Sequence, residues 1–312
     1  MNYLAYITVL TQILFVPLLA PFVIGWIRKI KARLQNRQGA SVFQPYSDLF
    51  KLFHKDEAVS KDASWIFFFA PRIVFAVTLL AGAMVPIIIG ANFSGAMSDF
   101  IVFIYVIALG TFFLALGGLD VGNAFGDMGS SREMTLAAVT EGGLFFSLLA
   151  VAILAESSNF SIMFIGATGA TGTSIIALSI AGIAFFIALL AENARYPFDN
   201  PSTHLELTMV HEAMIIEHSG KSLGLMEWAA ANKLMLFLVL FVNIFFPWGT
   251  VLPTGFGTFF LALLVVFAKV LIAAGIIAII ESTTPKLRFF KLPELLFSSF
   301  ALSIIALVLV LM

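Results

Sequence analysis

Carboxylates and imidazoles, the side chains that exchange protons, are concentrated between residues 191 and 220. This stretch, AENARYPFDNPSTHLELTMVHEAMIIEHSG, holds five of the 18 acidic residues and three of the four histidines; the acids are Glu192, Asp199, Glu206, Glu212 and Glu217. Carboxylates packed between apolar surfaces have mutually dependent pKa values and can relay protons. The apolar neighbours LTMV and AMII favour such a relay, or coupling to a redox centre, over a solvated charged face, which stays the alternative.

The histidines of this stretch stand seven residues apart, at His204, His211 and His218. Seven helical residues cover about 10 Å, too far for two imidazoles to share one ion, so a metal site built from these histidines alone is disfavoured. Prolines in the PFDNP sequence break the chain. A helix is predicted to restart at Ser202 or Thr203 and to run through His218.

Two further charged residues fall inside long apolar segments. Lys269 is the basic residue that stands clearly within a predicted span, about 16 Å from either end, and Glu141 lies about two turns into another. A Lys, Arg or Asp at the centre of a span costs around 2.5–3.5 kcal/mol on insertion scales, so intramembrane charges of this kind are functional candidates. We expect both residues to belong to an ion pathway; a structural ion pair between helices is the alternative.

The elements that must position these groups are membrane spans. The chain is 61% hydrophobic, against roughly 45–50% in soluble proteins. Eight segments reach the about 20 mostly apolar residues that a span needs, and these are residues 3–26, 66–90, 100–119, 134–155, 173–191, 229–247, 258–281 and 294–312. The sequence thus predicts an all-α, polytopic protein with one integral membrane domain over residues 1–312.

Lys and Arg are concentrated in the loops after spans one, three, five and seven. By the positive-inside rule these loops face the cytoplasm and both termini lie outside, with long cytoplasmic loops after spans one and five. The first loop contains YSDLFKLFHK, whose apolar residues at helical spacing predict a short helix on the membrane surface, although a plain basic loop is the alternative.

The balance of 17 basic and 18 acidic residues gives no support for binding nucleic acid, and the absence of cysteine excludes thiolate or iron–sulfur ligation by this chain. We therefore expect no cofactor bound by the chain itself. A stand-alone secondary transporter is disfavoured because no paired inverted repeat is apparent. A passive membrane anchor is a further alternative.

Three stretches carry a family resemblance: ENARYPFDNP, NRQGASVFQPYSDLFKLF and SREMTLAAVTE. The first resembles the E-T-N-R-x-P-F-D signature of the subunit 1 family of respiratory complex I, with Asn193-Ala194 in place of Thr-Asn. The other two resemble that family's first inner loop and its fourth span, with the glutamate at Glu141. The stretches DNPSTHLELTMVHEAM and ESTTPKLRFFKLPELL are instead similar to the membrane subunits of group 4 membrane-bound hydrogenases, the branch that includes formate hydrogenlyase and hydrogenase-4.

This resemblance implies a multi-pass subunit of the cell (inner) membrane, without a catalytic centre, which couples electron transfer in a docked arm to H⁺ or Na⁺ movement. Implied partners are a hydrogenase-like large subunit of [NiFe] type and an iron–sulfur small subunit on the cytoplasmic side, with antiporter-like subunits in the bilayer. The alternative is the quinone-chamber subunit of an NADH:quinone oxidoreductase. The residues that fall on or near the family's proton path and redox-facing loop are Glu141, Glu192, Arg195, Asp199, Glu206 and Glu217, whereas Glu212 and Lys269 are candidates from the residue patterns above.

Overall fold

The structure is a computed structural model that describes residues 3–60, 63–88, 98–199, 209–249 and 255–312. In these residues the chain is almost entirely helical and contains no strand. The helices are α1 (Tyr3–Leu34), α2 (Gln44–His54), α3 (Trp65–Met84), α4 (Phe100–Leu119), α5 (Ala124–Leu154), α6 (Phe160–Thr168), α7 (Thr173–Glu192), α8 (His211–Ile215), α9 (Gly220–Ile244), α10 (Phe256–Thr283) and α11 (Leu292–Leu311).

Eight of these helices are long and apolar enough to cross a membrane, which confirms the eight predicted spans in the described part of the chain. Two begin well before their predicted starts, α5 at Ala124 instead of residue 134 and α9 at Gly220 instead of residue 229. The α5 extension is possible because protein groups satisfy its polar residues: the Asn123 side chain accepts from Phe125 N at 3.1 Å and caps the helix, and Arg132 donates to the Met209 carbonyl at 3.1 Å.

The central helix of the bundle is α9, which packs against α1, α2, α3 and α10 and is buried over most of its length. One link between α9 and α1 follows from a proline. Pro21 has no N–H, so the carbonyl of Pro17, four residues earlier, loses its helical partner. The Trp228 indole of α9 donates to this carbonyl at 2.9 Å. A backbone group that would be orphaned in lipid is therefore satisfied by a neighbouring span.

The predicted first-loop helix is confirmed as α2. Its predicted apolar face packs partly on the protein: the Tyr46 hydroxyl donates to the Leu18 carbonyl of α1 at 2.5 Å, and Phe53 contacts the ring of Trp228. Phe50 is exposed. Helix α2 therefore packs against the middle of α1 and the first half of α9.

The helix predicted from Ser202 or Thr203 through His218 is wrong in its described part, which is helical only over the five residues of α8. The start of α8 is set by Asp199, whose Oδ2 accepts from Val210 N at 3.2 Å and His211 N at 3.1 Å. His218 lies beyond the helix, in the turn that precedes Gly220 and its positive φ of 52°. Residues 200–208, which include His204 and Glu206, lie outside the described residues.

A close approach of glycines joins α4 to α5. A Cβ added at Gly126 would lie 2.2 Å from the carbonyl oxygen of Gly118, whereas one added at Gly257 of α10 would meet open space. We expect Gly126→Ala to destabilise the protein by about 1–3 kcal/mol because the two helices must separate. Gly257→Ala, the matched control, should leave stability unchanged or slightly raised, as measured by denaturant unfolding in detergent. Equal stability of the two variants would contradict this packing.

Candidate functional site

A cavity of about 200 Å³ lies between α1, α2, α8, α9, α10 and the loop that follows α7. We call it the inner cavity. Part of its wall is apolar, with Ile24, Leu49 and Met226 among the lining residues. The remainder is charged or titratable, and the residues of this kind that line it are Arg28, Lys31, Asp48, Glu192, Arg195, Asp199, His211, Glu212, Glu227, Lys233 and Glu281.

Glu281, near the end of α10, is held between two cations. Its Oε2 lies 3.3 Å from Nζ of Lys31 and its Oε1 lies 3.2 Å from NH1 of Arg195. The glutamate side chain is 2% exposed. An ionised carboxylate in such a place is stable only when opposite charges compensate its lost hydration. The triad therefore ties α1, α10 and the loop after α7 to one point on the cavity wall.

A second buried pair joins α7 to α9. Lys233 Nζ lies 2.7 Å from Glu192 Oε1, and both side chains are largely buried. The prediction that Lys269 is the one basic residue clearly inside a span is wrong, since Lys233 lies at the middle of α9. Lys233 could have been found from the sequence, because it falls inside the predicted span 229–247 and the rule that singled out Lys269 applies to it equally.

Asp199 holds the loop after α7 in place. Its Oδ1 accepts from Lys286 Nζ at 2.7 Å, and its Oδ2 takes the two backbone N–H groups at the start of α8. The N–H of Leu287 also donates to the Pro197 carbonyl at 3.0 Å. Asp199 thus fastens the segment between α10 and α11 to the loop that carries Arg195, and it acts on the cavity as a positioning residue.

Glu212 and His211 bring titratable groups to the cavity outside the spans. Burial, together with the nearby carboxylates of Glu227 and Asp199, raises the pKa of Glu212 to about 7. Burial and the charge of Lys233 lower the pKa of His211 to about 4. His211 is therefore neutral at physiological pH, while Glu212 is poised between its protonated and ionised forms. A carboxyl group in that condition responds to a small change in local charge.

Glu141 of α5 reaches the same network through a narrow void of about 10 Å³. Glu192 lines this void and also lines the inner cavity. A space of this size holds about one water molecule. The structure therefore gathers Glu192, Arg195, Asp199 and Glu212 around the inner cavity, and Glu141 shares a second, smaller void with Glu192.

The other predicted site residues lie elsewhere. Glu217 is on the exposed surface, where it accepts a hydrogen bond from Asn123. Lys269 donates to the Phe246 carbonyl at 2.8 Å, just past the end of α9, and has no place on the inner cavity. Glu206 is outside the described residues. In the described part of the chain, no group of three His, Asp or Glu residues is arranged to hold a metal ion.

The charges that complete the site were not singled out from the sequence. Lys31 and Lys286 fall in the basic loops after the predicted spans one and seven, and Glu281 is the last residue of the predicted span 258–281. Their partners lie 250, 87 and 86 residues away in the chain. Pairing over such separations leaves no local signal in a single sequence.

The eight spans of the described residues, together with a buried and charge-rich cavity, define a polytopic membrane protein. Residues 7–312 match the family model described as NADH dehydrogenase (NADHdh). The chain belongs to this family.

Two curated relatives come from Escherichia coli (strain K12). Hydrogenase-4 component C is 32% identical over 302 residues, covering 95% of this chain and 93% of the relative. Formate hydrogenlyase subunit 4 is 31% identical over 300 residues, covering 96% of each. A subunit of the NADH-quinone oxidoreductase of Syntrophobacter fumaroxidans is 29% identical over 315 residues, covering 94% of this chain and 91% of the relative. The chain is a membrane-embedded homologue of these components and subunits.

Among solved structures, a chain of the membrane-bound sulfane sulfur reductase (MBS), an archaeal respiratory membrane complex, superposes with a TM-score of 0.83. The two chains are 21% identical, and the match covers 98% of this chain and 99% of the other. The fold is therefore shared over its whole length.

The pair formed by Glu192 and Lys233 generates a stability prediction. Lys233→Met leaves a buried carboxylate without its cation and should cost about 3–5 kcal/mol. The double variant Glu192→Gln/Lys233→Met should recover much of that loss because no unpaired charge remains. Denaturant unfolding in detergent measures both. Arg28→Gln, which breaks an exposed pair with Asp48 at 4.0 Å, is the control and should cost less than about 1 kcal/mol. If the double variant were as unstable as Lys233→Met, the loss of stability would come from packing and not from an unpaired charge.

Glu212 generates a pH prediction. Its pKa is about 7 in the folded protein and 4.5 when unperturbed. Between these two pH values the Glu212 carboxyl is therefore protonated in the folded protein and ionised in the unfolded chain. The stability of the protein relative to Glu212→Gln should therefore fall as pH rises from about 4.5 to about 7 and then level off. Unfolding at a series of pH values, with Glu217→Gln as the control from the same segment, checks this. A pH-independent difference between wild type and Glu212→Gln would contradict the assignment.

Proposed function

We propose that this chain is the membrane subunit of a hydrogenase-type, complex I-like oxidoreductase, and that it couples electron transfer in a docked arm to movement of H⁺ or Na⁺. The observation that carries the proposal is the position of Glu192, which lines both the inner cavity and the void that reaches Glu141. A charge change at the cavity thereby has a short route into the bundle. The relatives support the setting, since their names describe a component or subunit of hydrogenase-4, formate hydrogenlyase and NADH-quinone oxidoreductase.

A complex of this type implies several partner subunits. A hydrogenase-like large subunit and an iron–sulfur small subunit would dock on the side where α2, α8 and the loop after α7 surround the inner cavity. Any iron–sulfur cluster or [NiFe] centre would belong to these subunits, because this chain contains no cysteine. Antiporter-like membrane subunits would receive the coupled change from the bundle. The chain itself would supply charge coupling and anchoring, with no catalytic centre of its own.

The first step of the proposed mechanism is electrostatic. A gain of negative charge beside the loop after α7 would attract Arg195 and weaken its hold on Glu281, 3.2 Å away. Arg195 also acts on Glu212, whose pKa its positive charge lowers against the larger effect of burial. Withdrawal of Arg195 would favour protonation of Glu212. A redox event would in this way become a proton uptake at the cavity.

The second step passes the change into the membrane. Lys233 neutralises Glu192 at 2.7 Å and also lines the cavity beside His211 and Glu212. Protonation of Glu212 would remove one negative charge from the cavity that Lys233 and Glu192 also line, and would so change the electrostatic balance around their pair. Glu192 and Glu141 share the narrow void, so a change of charge at one acts directly on the other. The coupling requires two states of the loop that carries Arg195, each favoured by one redox state of the partner.

A quinone-chamber function is the second candidate, and the apolar part of the cavity wall is the observation in its favour. Ile24, Leu49 and Met226 could contact a flat ring. The volume argues against it, because about 200 Å³ is below the roughly 300–1,000 Å³ of pockets that enclose drug-sized ligands. The residues present therefore fit water and mobile charge better than a quinone. Inhibition of the intact complex by quinone analogues that is lost in the Met226→Trp variant would make the quinone chamber the better-supported function.

The proposed coupling between electron transfer and ion movement is tested by replacing Glu192 or Glu141 with the uncharged glutamine. In vesicles that carry the assembled complex, Glu192→Gln and Glu141→Gln should leave electron transfer running but lower ion movement per electron by on the order of a hundredfold, the lower end of what a positioned proton-transfer group contributes. Dye-detected proton uptake, with and without Na⁺, measures the movement. Glu217→Gln, an exposed acid from the same sequence stretch, should retain full coupling.

Two outcomes would overturn the proposal. Undiminished ion movement in Glu141→Gln at normal turnover would remove this residue from the pathway. Full coupling in a variant that neutralises Glu141, Glu192 and Glu212 together would make the chain a passive anchor.

A further inference from the structure

An open groove of about 460 Å³ lies where the end of α2, the second turn of α3 and the first turns of α9 meet. It shares no lining residue with the inner cavity. Three of its lining residues are basic and come from three different segments: Lys55 follows α2, Arg72 lies in α3 and Lys221 lies in α9. Phe53 and Leu225 add apolar surface beside them.

The positive charges of this groove are available to a ligand. Within the described residues, Lys55, Arg72 and Lys221 form no ion pair, and all three side chains are exposed. Of the two carboxylates in the groove, Asp56 and Glu57, the second is engaged: its Oε1 accepts from Ser222 N at 2.9 Å and Ser222 Oγ at 3.2 Å. Glu57 thus caps the start of α9. The three cations outnumber the two carboxylates, one of which is directed at the start of α9, and the groove therefore favours an anion.

The groove lies at a membrane boundary, because the spans α3 and α9 both begin there. On α3 the exposed residues form one helical stripe, which consists of Trp65, Phe68, Phe69, Arg72, Ala76 and Leu80. Such a stripe faces lipid. Trp65 at its start is 66% exposed and Phe69 is 52% exposed, as aromatic residues are at the level of lipid headgroups.

Arg72 joins the lipid-facing stripe to the groove. It stands seven residues after Trp65, about 10 Å along the helix. Its guanidinium turns back toward the start of α3 and donates to the Phe68 carbonyl, as a basic side chain does when it snorkels to the interface. The charge therefore lies at headgroup level while the stem and its neighbours contact acyl chains.

We infer that this groove binds the phosphodiester headgroup of an anionic phospholipid, with its acyl chains along the exposed stripe of α3. Basic pockets between spans at a membrane surface have the charge and the depth that such headgroups require. A soluble phosphate ester would meet the same three cations but would gain nothing from Trp65, Phe69 and Leu80. These residues favour a lipid over a free anion.

The test uses the complete chain, purified in mild detergent with the subunits that accompany it, and native mass spectrometry with added phosphatidylglycerol, phosphatidylcholine or glycerol 3-phosphate. Lys55→Gln/Arg72→Gln/Lys221→Gln should bind phosphatidylglycerol roughly fivefold more weakly for each charge removed. The control Arg33→Gln/Arg37→Gln/Lys51→Gln removes three exposed cations outside the groove and should bind as wild type. Arg72→Lys/Lys221→Arg keeps the charges and should retain the lipid, which separates lost binding from lost folding.

Three results would overturn the inference. Equal retention of phosphatidylglycerol by the two triple variants would show that the groove does not hold the lipid and is free for a partner protein. Equal binding of phosphatidylcholine and phosphatidylglycerol by wild type would remove the requirement for an anionic headgroup. Glycerol 3-phosphate binding as tightly as phosphatidylglycerol, and lost in the groove variant, would assign the site to a soluble phosphate ester.

Discussion

The arrangement of this protein depends on one buried carboxylate and its two cations. Glu281 brings a negative charge to the inner end of α10, where hydration is lost, and the charge is stable because Lys31 and Arg195 approach it from opposite sides. Lys31 belongs to the first span and Arg195 to the loop after α7, so the triad fixes three distant parts of the chain. The bundle around α9 is held by apolar contact. At the inner cavity, charge pairing sets the geometry instead.

The proposed response of the site to a partner depends on the balance of charge at the cavity. Six carboxylates line it, against four Lys or Arg side chains, and Lys286 adds a cation on Asp199. Burial, and after it the nearby carboxylates of Glu227 and Asp199, raises the pKa of Glu212 to about 7. A carboxyl group whose pKa lies near physiological pH can take up or release a proton when one charge nearby changes.

Sequence alone predicted the spans well, because length and apolar content are local properties, and it located the acidic stretch that borders the cavity. It could not tell that Glu212 lines the cavity whereas Glu217, five residues later, is exposed. This difference arises because α8 ends at Ile215 and a turn follows it. It also missed Glu281, Lys31 and Lys286, whose roles arise from contacts between distant segments. Lys233 was within reach of residue-by-residue reasoning, since a lysine at mid-span requires a buried partner.

The central claim is that a redox change in the docked arm alters proton occupancy at the inner cavity, and redox-difference infrared spectroscopy of the assembled complex tests it most directly. On reduction, we expect the appearance of a protonated-carboxyl band that shifts in D₂O and is lost in Glu212→Gln while electron transfer continues. A difference spectrum without any carboxyl signal, or a signal unchanged by Glu212→Gln, would contradict the claim.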